Sequence, residues 1–265
     1  MDVENKQIAS AFIELLEILR QLRAPDGCPW DQKQTPESLI PYLLEETYEI
    51  IEAIEKNEVE TLKEELGDLS LHILFQGELA RESGKFDISD SLKHISKKLI
   101  RRHPQVFDKN KSKQSKHDIN KSWEIAKQME KKRKNILDGV PIELPALIRA
   151  HRIQEKAANV GFDWMELPPV LNKVDEEIEE LKEAITLNDP ENIKDEIGDV
   201  LFSLVNLSRF LNINAENALR MAISKFEIRF SQVEKEIKKR GKSLTDSTLE
   251  EMDEIWNLVK KKARV

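Results

Sequence analysis

Cysteine occurs once in this chain of 265 residues, at Cys28. A single thiol excludes a disulfide framework and any multi-thiolate metal site, and it suits a reducing, cytoplasmic setting. Glycine is scarce at 8 residues, tyrosine occurs twice and aromatics make up 6%. Sandwiches and barrels need turn glycines and strand-forming aromatics, so an all-β fold is disfavoured. Long apolar runs are missing too. The most apolar stretch, Val200 to Leu207, contains Ser203 and Asn206 and falls far short of the roughly 20 residues of a membrane span. The start, Met-Asp-Val-Glu-Asn-Lys, shows no apolar run behind a basic segment and no secretory signal. Positive charge is also outweighed: 42 Lys and Arg face 50 Asp and Glu, a net of −8. That balance argues against a dedicated nucleic-acid binder or a cationic membrane protein.

Charge is abundant at 35%, with 39% hydrophobic residues, and the two alternate with helical periodicity. The pattern predicts helices over 5–22, 37–56, 59–83, 88–103 and 119–134, then over 145–158, 169–187, 190–211, 215–240 and 247–262. Thr35-Pro36 and Asp189-Pro190 each set a cap residue before a first-turn proline, and Ser247 with Glu250 reads as a capping box. Gly84 and Gly241 stand where left-handed helix stops are expected. Lys131 to Lys134, then Asp138-Gly139-Val140-Pro141 and Pro145, read as a linker, and Lys109 to Lys116 as a mobile loop.

Five helices, a linker and five helices suggest duplication, and a repeat is present. Gly27-x-x-Trp30 recurs as Gly161-x-x-Trp164, Glu45-Glu46-x-x-Glu49 as Glu176-Glu177-x-x-Glu180, and Glu65-x-Gly67-Asp68 as Glu196-x-Gly198-Asp199. Both acidic motifs keep an offset of 131 residues. Lys98 and Arg102 recur as Lys225 and Arg229, and Trp123 recurs as Trp256. The expected layout is therefore all-α: two tandem helical-bundle domains, 1–135 and 145–265, joined by a linker at 136–144.

Residues three apart on a helix share a face. Glu177 and Glu180 thus point together, as do Glu196 and Asp199 one helix later, and a short connection around Asn188-Asp189-Pro190 makes the two helices antiparallel neighbours. Four carboxylates converge across each pair. Asp68 and Asp199 both lead into apolar runs, so the acids are expected to enter buried helices, where close anions cannot all ionise without a cation. An all-oxygen set suits a hard ion, Mg²⁺ or Mn²⁺. Gly67 and Gly198 each cost a helix interior about 1 kcal/mol, and their repetition predicts close backbone approach there.

EExxE followed by ExxD, with Cys28-Pro29-Trp30-Asp31 ahead of the first copy and Val160-Gly161-Phe162-Asp163-Trp164 ahead of the second, resembles the MazG family of all-α nucleoside triphosphate pyrophosphohydrolases. The resemblance covers nearly the whole chain, including the tandem layout. It implies metal ligands at Glu177, Glu180, Glu196 and Asp199, and equivalently at Glu46, Glu49, Glu65 and Asp68. It also implies Mg²⁺-dependent attack of water on the α-phosphorus, with Glu176 or Glu177 as the group that orients or deprotonates that water.

Lys225 with Arg229, and Lys98 with Arg102, are candidate triphosphate cations; Lys173, one turn before Glu177, is another, although the first copy has Tyr42 in its place. Trp256 and Trp123 are candidates for stacking on the base, whereas Trp30 and Trp164 read as core or loop-closing residues. His72, His94, His103, His117 and His151 do not recur, and His117-Asp118 lacks the further ligands of an HD phosphohydrolase. A glycine-rich phosphate loop and a G-x-S-x-G elbow are absent. The expected activity is broad-tolerance hydrolysis of nucleoside triphosphates in nucleotide-pool housekeeping, favoured at the second copy because of Lys173. The apolar helices favour a homodimer. The rival expectation is a catalytically silent regulator or scaffold that binds nucleotide or a partner protein.

Overall fold

The computed structural model describes residues 2–107 and 135–262, and it separates into two compact units, Met1–Lys113 and Gln114–Val265. Trp123, His117-Asp118, the loop 109–116 and the expected helix 119–134 lie outside the described residues. Among those described there is no strand, and no helix is long and apolar enough to cross a membrane.

In the first unit, α1 (Val3–Arg23) is followed by the short α2 (Pro29–Lys33), α3 (Ile40–Lys56), α4 (Val59–Glu82), α5 (Ile88–Arg102) and the single turn α6 (Pro104–Phe107). The α3–α4 pair is antiparallel because only Asn57 and Glu58 connect the helices. Asn57 takes a left-handed φ of 57°, a conformation that asparagine tolerates and that ends the helix. Leu19, Leu39, Leu74, Phe75 and Leu79 form the core between α1, α4 and the turn before α3.

The second unit runs α7 (Ala146–Ala158), α8 (Leu167–Leu187), α9 (Pro190–Phe210), α10 (Ala215–Lys239), a 3-10 turn (Leu244–Asp246) and α11 (Leu249–Lys262). Here α8 and α9 are joined by Asn188 and Asp189, with Asn188 again left-handed at 55°. Asp189 caps α9 by accepting from the Asn192 amide, as the sequence predicts. Both α7 and α10 lie against other helices of this unit, and Val233, Ile237, Ile255 and Val259 hold α10 to α11.

Several local expectations are displaced. Thr35 does not cap α3; it exchanges hydrogen bonds with Ser38 in a turn that precedes the helix. The capping box before α11 is Thr248 with Glu251, one residue beyond Ser247 and Glu250. Gly84 and Gly241 do adopt left-handed φ values of 68° and 75°. A Cβ added at Gly67 or Gly198 would meet nothing within 4 Å, so the expected close backbone approach is not made among the described residues. Part of the expected linker packs on the second unit, where the Ile136 carbonyl accepts from the buried Lys156 ammonium at 3.1 Å. The acid-bearing helices are only half covered: Leu201, Phe202 and Leu204 of α9 remain exposed, as do Leu66 and Ile73 of α4.

Candidate functional site

Two-residue connections and matched helix registers bring the acids together in both units. In the second, Glu177 from α8 meets Glu196 and Asp199 from α9, with ligand oxygens all within 4.8 Å of one another. In the first, Glu46 and Glu49 from α3 meet Glu65 from α4 in the same way. The fourth acid of each set stands close enough to act through its charge. Burial and then the neighbouring Asp68 and Glu49 carboxylates push Glu46 above the usual carboxylate range. Burial and the charges of Glu49, Glu46 and Asp68 do the same to Glu65. Glu180 is raised by burial and by Glu177 and Glu196. Acids that resist ionisation in each other's company are what a hard cation relieves.

The second set offers a specific sign that a ligand is called for. Glu196 Oε2 is buried and has no hydrogen-bond partner among the described residues. A buried carboxylate oxygen left unpaired is costly, and a divalent cation held by Glu177, Glu196 and Asp199 would satisfy it. The donor set therefore fits Mg²⁺ or Mn²⁺.

The neighbours of the two clusters differ. In the second unit the Lys173 ammonium lies 2.8 Å from both Glu176 and Glu177. Hydrogen bonds to Glu176 and Glu177 hold that ammonium protonated well above the usual lysine range. Glu176 is more than half exposed, whereas Glu177 is buried. In the first unit the matching position is Tyr42, whose ring stacks on His72 with centroids 6.1 Å apart and meets Trp30 edge-on. His72 Nε2 stands 3.6 Å from Glu46 Oε1, too far for a hydrogen bond. Burial lowers the imidazole pKa, against the opposing pull of Asp68, so this ring is a neutral neighbour.

The second cluster also opens on a cavity of about 640 Å³. Lys173, Glu177 and Asp199 form its acidic end, and Phe162, Trp164 and Phe202 are among its apolar walls. Trp164 therefore faces a cavity and is not a core residue. Sequence reasoning missed the polar groups of this cavity: Gln154, Asn206 and the Arg209–Asp163 pair. A signal existed in the repeat. At the same 131-residue offset, Asn206 replaces the core residue Phe75, and Arg209 replaces Glu78. Glu78 is buried and clamped by Arg20 and Arg81; Arg209 is instead clamped by Asp163 at 2.6 Å.

Arg229 and Trp256 come together, with Lys225 one turn before Arg229 on α10, but none of the three lines the cavity. The Arg229 guanidinium covers the Trp256 ring at 5.9 Å, and Phe226 packs against the same indole at 5.2 Å. Trp256 also leans on the α10–α11 core, so its visible work is packing. Lys98 and Arg102 sit on α5, both half-buried.

An all-α chain with carboxylate clusters suited to a divalent cation, one of them at the mouth of a cavity sized for a small molecule, defines a class of candidate metal-assisted hydrolases. Comparison with known proteins is more specific. The family model of the MazG nucleotide pyrophosphohydrolase domain matches residues 34–107 and 169–233. The chain is 46% identical over 257 residues to the nucleoside triphosphate pyrophosphohydrolase/pyrophosphatase MazG of Thermotoga maritima, covering 96% of this chain and 98% of that protein. It is 44% identical over 255 residues to the nucleoside triphosphate pyrophosphohydrolase of Escherichia coli K12, covering 93% and 96%. An uncharacterised Bacillus subtilis protein, YabN, is 43% identical over 98% of this chain and 54% of its own length. The chain belongs to the MazG family.

Proposed function

We propose that this chain hydrolyses nucleoside triphosphates to a nucleoside monophosphate and pyrophosphate, with the chemistry at the second acidic cluster. The observation that carries the reading is the buried, unpartnered Glu196 Oε2 within a three-carboxylate set that opens directly on a cavity. Glu177, Glu180, Glu196 and Asp199 are the proposed ligands of a divalent cation, Mg²⁺ or Mn²⁺. When bound there, the ion supplies charge neutralisation for the phosphates and lowers the pKa of water.

The chain's own residues supply the remainder. The water that attacks the α-phosphorus is oriented or deprotonated by Glu176 or Glu177, which Lys173 holds in place from 2.8 Å. Lys173 carries a fixed positive charge toward the triphosphate, and Lys225 and Arg229 are proposed as further phosphate cations. The apolar cavity walls exclude bulk water on the nucleoside side, where electrostatic interactions gain strength. Glu46, Glu49, Glu65 and Asp68 are proposed to hold a cation without turning substrate over. Their cluster has no lysine at the Lys173 position, and the Tyr42 and His72 rings stand beside it. Lys98, Arg102 and Trp123 belong to this first copy and carry no assigned step.

Broad base tolerance, nucleotide-pool housekeeping and work in the cytoplasm belong to the same proposal. A homodimer is supported by the exposed Leu201, Phe202 and Leu204, an apolar face that pairing would bury. Incubation with several ribo- and deoxyribonucleoside triphosphates, with and without Mg²⁺, tests the reading. Monophosphate and pyrophosphate that form only with the metal are expected; diphosphate and orthophosphate would overturn it.

A further inference from the structure

The first acidic cluster has a side chain beside it for which the proposed hydrolysis has no use. His72, on α4, is 9% exposed, and neither of its ring nitrogens makes a hydrogen bond among the described residues. Nδ1 is sealed in the interior; Nε2 is the end turned to the carboxylates, 3.6 Å from Glu46 Oε1. A buried imidazole normally has a partner for at least one nitrogen. Here the missing partner belongs to Nε2, since Nδ1 is shut off. The separation from Glu46 is too long for a hydrogen bond. Two donors that share one ion at bonds of about 2.1 Å, however, stand about 3.0–3.4 Å apart at octahedral and tetrahedral angles. A small adjustment of either side chain would let one ion touch both.

Asp68 stands one turn before His72 on α4, the i,i+4 spacing with which two side chains of a helix reach one metal. The Tyr42 ring lies within 4° of parallel to the imidazole and limits its rotation. In the second unit the matching residue, 131 positions on, is Ser203, whose hydroxyl is engaged in donating to the Val200 carbonyl at 2.9 Å. Lys173, the ammonium that competes for Glu177 there, is replaced by Tyr42 in the first copy. One cluster is thus all oxygen with a lysine beside it, and the other has a nitrogen donor with no lysine at the matching position. We infer that His72 Nε2 is a ligand of the cation at the first cluster, which makes that cluster a site for a first-row transition ion such as Mn²⁺ in preference to Mg²⁺. The inference rests on the proposal that Glu46, Glu49, Glu65 and Asp68 hold a cation, and it adds which kind. Imidazole nitrogen suits transition ions, whereas Mg²⁺ prefers oxygen and gives up its water reluctantly. The two copies then differ in their metal as well as in their cavity.

The test is pulsed EPR of Mn²⁺ on the full wild-type chain, loaded substoichiometrically in an excess of Mg²⁺ so that only a site preferring Mn²⁺ fills. Modulation from a directly bonded ¹⁴N is expected. It should vanish in His72→Phe, which keeps a flat ring against Tyr42 but has no donor. In competition titrations the same variant should weaken Mn²⁺ at that site by at least about tenfold and leave Mg²⁺ affinity within about twofold. Bound Mn²⁺ without nitrogen coupling in the wild type overturns the inference, and that arm needs no variant to fold. So does coupling that persists in His72→Phe, or a preference for Mn²⁺ that the variant keeps. Glu46→Gln separates the inference from the reading beneath it. Nitrogen-free Mn²⁺ binding that Glu46→Gln abolishes leaves a cation at the first cluster but removes His72 from it; Mn²⁺ binding to which Glu46→Gln makes no difference overturns both.

Discussion

Replacing Glu196 with Gln should make the metal-free protein more stable and the metal-loaded protein less so. Glu196 shares its site with Glu177 and Asp199, all three offering oxygens within 4.8 Å. Two unit charges about 5 Å apart repel by about 3 kcal/mol at an effective dielectric of about 20, and by about 0.8 kcal/mol in bulk water. The cluster stands between these limits, since Glu177 is buried and Asp199 exposed. Lys173, 2.8 Å from Glu177, offsets part of that repulsion. Removing one charge of three relieves two pairs and is expected to stabilise the metal-free chain by about 1–3 kcal/mol. That corresponds to a rise of a few degrees in Tm for a domain of this size. Thermal melts at pH 8 and low salt, with EDTA or with Mg²⁺, read the effect. The variant should melt higher in EDTA, and the wild type should gain far more from Mg²⁺. A metal-free wild type more stable than Glu196→Gln would show that protein partners already hold this carboxylate, and the argument for a poised cation site would fail.

Glu180→Ala should lower kcat by at least about 100-fold, the scale of losing a group that supports transition-state charge, whereas Glu49→Ala should stay within about twofold. Turnover that survives the first change and disappears with the second would move the chemistry to the first unit. The metal-free protein should lose stability as pH rises above the ordinary glutamate range. Glu46, Glu65 and Glu180 have raised pKa values, so the native state binds more protons than the unfolded chain until those values are passed. Glu78 and Glu82 act oppositely. Burial raises Glu78, but hydrogen bonds from Arg81 and Arg20 outweigh it and bring it below the ordinary range; the Arg23 hydrogen bond lowers Glu82. Their contribution is lost as pH falls through those lowered values. Urea titrations in EDTA should therefore show a mildly acidic maximum that shifts upward with Mg²⁺; a curve unchanged by metal would contradict this. Gly198→Ala should stabilise an isolated chain by about 1 kcal/mol through helix propensity, because its Cβ meets nothing within 4 Å. A weaker homodimer in analytical ultracentrifugation would show that a second copy makes the approach at Gly198 that the described residues do not.

The carboxylate clusters were legible because their geometry is local. Three-residue spacing fixes the face, and connections at Asn57-Glu58 and Asn188-Asp189 leave the helices nowhere to go but antiparallel. Cations on other helices are a different matter. Lys225 and Arg229 share a face of α10, but where α10 sits depends on the turn after Phe210, and motif spacing says nothing of it. Thr35 ahead of Pro36, and Ser247 three residues ahead of Glu250, both read as caps by local spacing. Each has a second hydroxyl neighbour, Ser38 and Thr248, that enters the competition for the same amides. The cavity was hidden for another reason: Gln154 and Asn206 look like ordinary helix residues until the two copies are set in register. The exchange of Phe75 for Asn206 then marks where one copy fills its core and the other keeps a space.

Hydrolysis in water enriched with ¹⁸O tests the central claim most directly, since it reports which phosphorus is attacked. With ATP and Mg²⁺, the account predicts that the label enters the nucleoside monophosphate, leaves pyrophosphate unlabelled, and is not incorporated at all by Glu177→Gln. Label in pyrophosphate, or incorporation that Glu177→Gln leaves intact, would contradict water attack on the α-phosphorus at the second cluster.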